Sequence, residues 1–235
     1  MIMKNRFATF IRAALVLLLP TTLTLVSCKE EDEDKQQDNA PSYVEAVDLG
    51  LSVKWANCNI GASTPEAAGA YYAWGETEEK EEYTPLTYKY YLGDLNEDSN
   101  YGNSEEYKNI GHNISGTAYD VVRTQWGGTW RMPTKKELEE LCLECSWEAT
   151  EINGVKGKLI TGPNGNSIFL PCTGIYRGTQ ILNGEDGLGA YLSGSIGSYQ
   201  PNAYSILFVY SDITSGYIGR DASRADGLAI RPVKE

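Results

Sequence analysis

The sequence predicts an α+β domain, rich in strands and carrying one clear helix at about residues 134–145. Three observations lead there. Gly, Tyr, Ser, Asn and Asp interrupt short apolar runs along most of the chain, the punctuation of a strand-rich fold. Only one segment carries a helical period, and the strands beyond it run to the C-terminus, so helix and strands are segregated rather than alternating. Ser52 to Ala56 alternates polar and apolar residues as a half-buried strand does. The helix opens after Pro133, with Thr134 placed to cap it and Glu137 placed to complete a capping box. Leu138, Leu141, Cys142 and Cys145 then form one apolar stripe opposite Lys135, Glu139, Glu140 and Glu144. Lys156–Thr161 and Ser167–Leu170 read as a hairpin turning through Gly162-Pro163-Asn164-Gly165-Asn166. Ala190–Leu192, Tyr204–Tyr210 and Gly227–Val233 complete the expected strands. Within them Ile206-Leu207-Phe208-Val209 is apolar on both faces and belongs at the centre of a sheet.

The first 28 residues carry an address. Lys4, Arg6 and Arg12 precede the apolar run Ala13–Leu19, which is too short to span a bilayer, and Leu25-Val26-Ser27-Cys28 follows. That order resembles a bacterial lipobox, which implies a signal peptide at 1–27 and lipidation of Cys28 through diacylglycerol and palmitate-type chains. Each buried CH2 of such chains contributes about 0.8 kcal/mol to membrane anchoring. Lys29-Glu30-Glu31-Asp32-Glu33-Asp34 resembles the acidic export signal of Bacteroidetes lipoproteins that face the cell exterior. Residues 29–42 contain no Ile, Leu, Val or aromatic side chain, so 28–42 is expected to be an acidic disordered tether and 43–235 a single domain. Cleavage before Cys28 leaves 208 residues with 17 basic against 32 acidic side chains, a net charge of −15. Such a balance repels nucleic acid and anionic headgroups, so the expected membrane contact is the lipid anchor alone.

Five segments, in order, resemble a known family: Val47–Ala56, Tyr72–Glu76, Trp126–Thr134, Gly165–Pro171 and Ile230–Val233. Together they are similar to the Fibrobacter succinogenes major paralogous domain of Bacteroidetes surface lipoproteins, over about residues 45–234. That family is related to the formylglycine-generating-enzyme (sulfatase-modifying) branch of the C-type lectin-like fold, in which Trp-Arg-Met-Pro-Thr opens a helix. The resemblance implies paired N- and C-terminal strands and long loops gathered on one side. Fold does not by itself assign function.

The enzymatic relatives need a reactive Cys pair near the C-terminal end, and no Cys follows Cys172. Cys142 and Cys145 sit on the apolar stripe in the second half of the helix, where a thiolate gains nothing from the helix N-terminus, so they read as core thiols. Pairing among Cys58, Cys142, Cys145 and Cys172 stays open, since four thiols allow three full pairings. His112 lies in a Gly-rich loop with no nucleophile motif beside it. Asp94, Asn96, Asp98, Asn100 and Glu105 take positions 1, 3, 5, 7 and 12 of a calcium loop, yet Ser99 replaces the usual Gly and no clear helix flanks them. An acidic solvated loop is the plainer reading, and no cofactor is required.

Residues 174–226 interleave Tyr with Ser, Gly, Asn and Asp, a composition suited to binding because Tyr brings amphipathic area at low entropic cost. The expected ligand-binding set is Tyr199, Asn202, Tyr204, Asp212, Tyr217, Arg220, Asp221 and Arg224. These readings converge on a non-catalytic, lipid-anchored outer-membrane protein whose C-terminal loops bind a glycan or a protein. An adhesin-like or fimbria-associated structural subunit comes next, and an enzyme with an unrecognised site third.

Overall fold

The computed structural model describes residues 37–93, 106–198, 201–212, 217–218 (backbone only) and 222–235. Its strands are β1 (Ala46–Val47), β2 (Lys54–Ala56), β3 (Trp130–Arg131), β4 (Ser146–Ile152), β5 (Val155–Thr161), β6 (Ser167–Pro171), β7 (Ile175–Arg177), β8 (Gln180–Leu182), β9 (Leu188–Ile196), β10 (Asn202–Val209), β11 (Tyr217–Ile218), β12 (Ala222–Ser223) and β13 (Val233–Lys234). A 3-10 turn spans Pro85–Thr87, and the helices are α1 (Val121–Trp126) and α2 (Lys135–Glu144). Among the described residues the strands form four sheets, ordered β1-β2-β13-β3, β4-β5-β6, β7-β8, and β10 flanked by β9, β11 and β12. All pairings between these strands are antiparallel.

The chain closes on itself: Val233 of β13 pairs with Trp55 of β2 on one side and with Arg131 of β3 on the other. Around that junction each residue of the Trp130–Thr134 motif has a separate task. Trp130 is buried edge-to-face against Trp126, with ring centres 5.2 Å apart. Arg131 forks onto Glu137 through bonds of 2.8 and 2.6 Å. The Met132 N–H donates to Asp120 at 2.8 Å, and the Pro133 carbonyl accepts from Gly194. Thr134 and Glu137 form the expected capping box, Glu137 accepting from the Thr134 N–H at 2.7 Å. Burial raises the Glu137 carboxyl, but the Arg131 and Thr134 bonds outweigh it and hold the group below its usual range. A depressed carboxylate contributes stability that is present above its unfolded pKa and lost as pH falls through the lower folded value. Acidification is therefore expected to weaken this corner, and Glu137→Gln to flatten the acid limb of stability measured by urea unfolding across pH. Identical acid limbs in the two proteins would exclude that role.

The described residues hold two helices where the sequence signals one. Val121–Trp126 is a six-residue helix, too short to show a period, and the buried Asp120 makes it. Its carboxylate accepts from the N–H groups of Val122, Arg123, Gly116 and Met132, tying the helix start to the strand beyond it. Strand β4 is likewise absent from the sequence reading. It pairs along its whole length with β5 through a turn at Asn153-Gly154, both with positive φ (51° and 80°), the Asn-Gly signature of a tight hairpin. The hairpin of β5 and β6 stands where expected. So does β10, which lies centrally, although Val209 at its end is exposed.

Gly227–Val233 is corrected. It is no continuous strand but a buried thread: Gly227 bridges Tyr176, Leu228 bridges Tyr72, Ala229 bridges Tyr191 and only Val233 joins a sheet. Each residue serves a different neighbour, which apolar patterning cannot reveal because any buried extended segment looks alike. Of the expected tether at 28–42, residues 28–36 lie outside the described residues. Residues 37–40 are held rather than loose: the Asn39 N–H donates to Trp126, the Gln37 carbonyl accepts from Gly128, and Lys234 pairs with Asp38 at 2.5 Å. Gly127, at φ 64°, admits this strap, since a Cβ there would lie 2.3 Å from the Gln37 carbonyl oxygen.

Three apolar clusters fill the domain. One contains Trp74, Trp126, Trp130 and Leu192; a second contains Trp55, Leu138, Leu141, Ile160 and Phe208. The third is largely tyrosine: Tyr71, Tyr83, Tyr88, Tyr90 and Tyr107. Trp55, Trp74, Trp126 and Trp130 are all buried.

Candidate functional site

The C-terminal sheet and the helix laid across it carry the sequence-predicted site. Leu138 and Leu141 bury the inner face of α2, which packs against β9, β10 and β11. Lys135, the first residue of α2, is thereby set over β10, its ammonium 4.3 Å from the centre of the Tyr204 ring. The Tyr204 hydroxyl lies 3.0 Å from Ser198 Oγ. Asn202, half-buried, begins β10 opposite Ser223. Tyr217 is paired with Leu207 at the other edge of β10. Asp212 follows β10, where its main-chain carbonyl accepts from the fully buried Lys158 ammonium. Tyr199, Arg220 and Asp221 lie outside the described residues, as does the lipidation residue Cys28.

Arg224 is a correction, because its side chain is fully buried. The guanidinium sits 4.5 Å from the Trp74 ring centre and 5.4–5.5 Å from those of Tyr107 and Tyr88. Its Nε donates to the Tyr88 hydroxyl at 3.0 Å, and an η-nitrogen donates to the Lys108 carbonyl at 3.2 Å. Arg224 thus cements the tyrosine cluster, its guanidinium meeting ring faces, the Tyr88 hydroxyl and the Lys108 carbonyl. From sequence it looks like a loop cation, because nothing local shows that residues 222–233 turn inward.

Arg231 shows the same chemistry more strictly. It is buried and donates to Asn59 Oδ1 at 2.8 Å, the Ala56 carbonyl at 3.0 Å and the Phe169 carbonyl at 2.8 Å. Asn59 also donates to the Ala68 carbonyl, and the buried Tyr191 hydroxyl donates to Pro171. One guanidinium therefore ties β2, β6 and the C-terminal thread together.

All four described thiols are free. Burial pushes Cys142 up to about 12 and Cys145 and Cys172 up to about 11, and raises Cys58 as well. Thiols held there are protonated at neutral pH and are poor nucleophiles. His112 is an exposed loop residue whose carbonyl accepts from Ile196. Asp94, Asn96, Asp98, Asn100 and Glu105 all lie outside the described residues. At the base of that insertion Leu92 donates to the Glu106 carbonyl and Lys108 to the Tyr90 carbonyl, so Tyr91 and Tyr107 form an antiparallel bridge there.

One feature escapes sequence reading altogether. A cleft of about 400 Å3 opens between Tyr71, Cys172-Thr173, Ile181 and the turn Asn183–Asp186. The turn is visible in sequence as Asn183-Gly184-Glu185-Asp186-Gly187, but Tyr71 reaches it from a hundred residues away. No family model, curated protein or solved structure matches the chain.

Proposed function

We propose that the chain is a non-catalytic surface lipoprotein of the outer membrane, anchored through Cys28, whose C-type lectin-like domain binds a glycan or protein on its C-terminal sheet. The half-buried Tyr204 ring carries this reading: a rigid amphipathic ring with an ammonium over its face, a hydroxyl at its tip and the Asn202 amide two residues away. Large aromatic area rimmed by adaptable polar groups is the composition that recurs in binding surfaces. Support for the fold comes from the β2–β13–β3 junction and from the Trp130–Thr134 motif opening α2, both of which the family resemblance implies. The raised thiols argue against thiol-based catalysis.

Two measurements test the reading. Full-length protein is offered to glycan and secreted-protein arrays, and Tyr204→Ala is expected to weaken capture roughly thirtyfold or more, the scale of a truncated hot spot. Its melting curve should stay close to the wild type's. Undiminished capture by Tyr204→Ala removes the C-terminal sheet from the reading. For the anchor, Cys28→Ala is expected to move the protein from the membrane to the soluble fraction or leave it unprocessed. Normal membrane association of that variant would reject lipidation.

A further inference from the structure

We infer that the cleft beside Cys172 is a second binding site, built for an uncharged, hydroxyl-rich ligand of about the size of a single sugar ring. The inference rests on the reading of the domain as a binding module. The cleft's walls differ in kind. Ile181, 47 % exposed, and the largely buried Tyr71 line one part of the cleft. Asn183, Glu185 and Asp186 supply a carboxamide and two exposed carboxylates at the rim.

The walls are also fixed before any ligand arrives. The Tyr71 hydroxyl donates to the Thr173 carbonyl at 2.5 Å, and Tyr176 packs edge-on against its ring at 5.7 Å. In the turn, Gly187 donates to Gly184 at 3.1 Å and Leu188 to Asn183 at 3.0 Å, while the Cys172 thiol donates to the Gly187 carbonyl at 3.2 Å. A preformed site loses little ordering entropy on binding.

Chemistry narrows the occupant. The rim carboxylates of Glu185 and Asp186 are offset by the Lys156 and Lys158 ammonium groups, which lie close enough to act on Cys172, so charges of both signs surround the cleft and neither an anion nor a cation is singled out. An organic cation gains little from exposed carboxylates, and among the described residues no three carboxylate, imidazole or thiol groups converge to hold a metal. A lipophilic ligand would strand the polar rim. Vicinal hydroxyls suit adjacent planar acceptors, and the apolar face of a sugar ring suits the exposed Ile181 side chain.

Cys172 is half-buried and lines the cleft, so it reports occupancy, while Cys145, equally half-buried at the end of α2, serves as internal control. Full-length protein in detergent is labelled with a maleimide at mildly alkaline pH, and both thiols are followed by peptide mass spectrometry. Galactose, mannose, fucose, xylose and N-acetylglucosamine are tested at millimolar concentration, beside glucuronate and butylammonium. At least one neutral sugar is expected to slow labelling of Cys172 but not of Cys145. In the Glu185→Gln/Asp186→Asn protein the half-protecting concentration should rise about tenfold, since hydrogen bonds to charged groups are the stronger kind; Tyr204→Ala should leave it unchanged. Protection by none of the five sugars overturns the inference, as does equal or better protection by glucuronate or butylammonium. Array capture that is lost in Tyr204→Ala, with no sugar protecting Cys172, rejects the cleft while leaving the C-terminal sheet in place.

Discussion

Replacing Arg231 with Met is expected to lower the domain's stability by roughly 3 kcal/mol or more. Met fills nearly the same space, so the loss is not that of a cavity. It also removes the cost of burying a cation, which works in the variant's favour. Against that gain stand three acceptors left behind: Asn59 Oδ1 and the carbonyls of Ala56 and Phe169. Each buried group left without a partner costs about 1–3 kcal/mol, so together they outweigh the relief. For a domain of this size the melting midpoint should fall by roughly 6–12 °C. Arg231→Lys should fall between, since a point charge cannot reach all three acceptors from one position. Calorimetry of the three proteins checks the order, and an Arg231→Met midpoint equal to that of the wild type would mean that water reaches the acceptors.

Truncating Trp130 to Ala should cost about 3–5 kcal/mol. The ring is buried against Trp126 and lies beneath the Lys234 ammonium, 5.2 Å from its centre, so its loss opens the seam between β3 and the C-terminal strand β13. The strap at residues 37–40 bonds to Trp126 and Gly128 beside the same seam. The variant should therefore melt roughly 6–20 °C lower and be cleaved faster at the strap by added protease. Tryptophan fluorescence in urea reads the first effect and N-terminal peptide mapping the second. An unshifted midpoint would show that Trp130 is not a packing element.

The helix at 135–144 is legible because its signals are local: a cap, a box and a stripe all fall between Thr134 and Cys145. The same holds for the hairpin turning at 162–166 and for the centrality of Ile206–Val209. Helix α1 is not legible because it is one and a half turns held by Asp120, whose carboxylate draws a donor from Met132 beyond the helix. The Asn153-Gly154 hairpin is legible in principle, by the strongest short-range signal a hairpin has.

The candidate site divides along the same line. Tyr204 and Asn202 can be singled out by composition, but only packing puts Lys135 over the Tyr204 ring. Arg224 has the composition of a surface group and the environment of a core one, because the segment from 222 to 233 threads inward between Tyr72, Tyr176 and Tyr191. The cleft at Cys172 joins residues a hundred positions apart, and no window of sequence contains it. Sequence alone determined the local elements, the acidic charge, the motif order and the expectation of an anchor at Cys28, since each depends on neighbours along the chain or on composition. Tertiary structure alone decided which arginines are buried, where the strap docks and where the cleft opens, since each depends on distant groups of the chain being brought together.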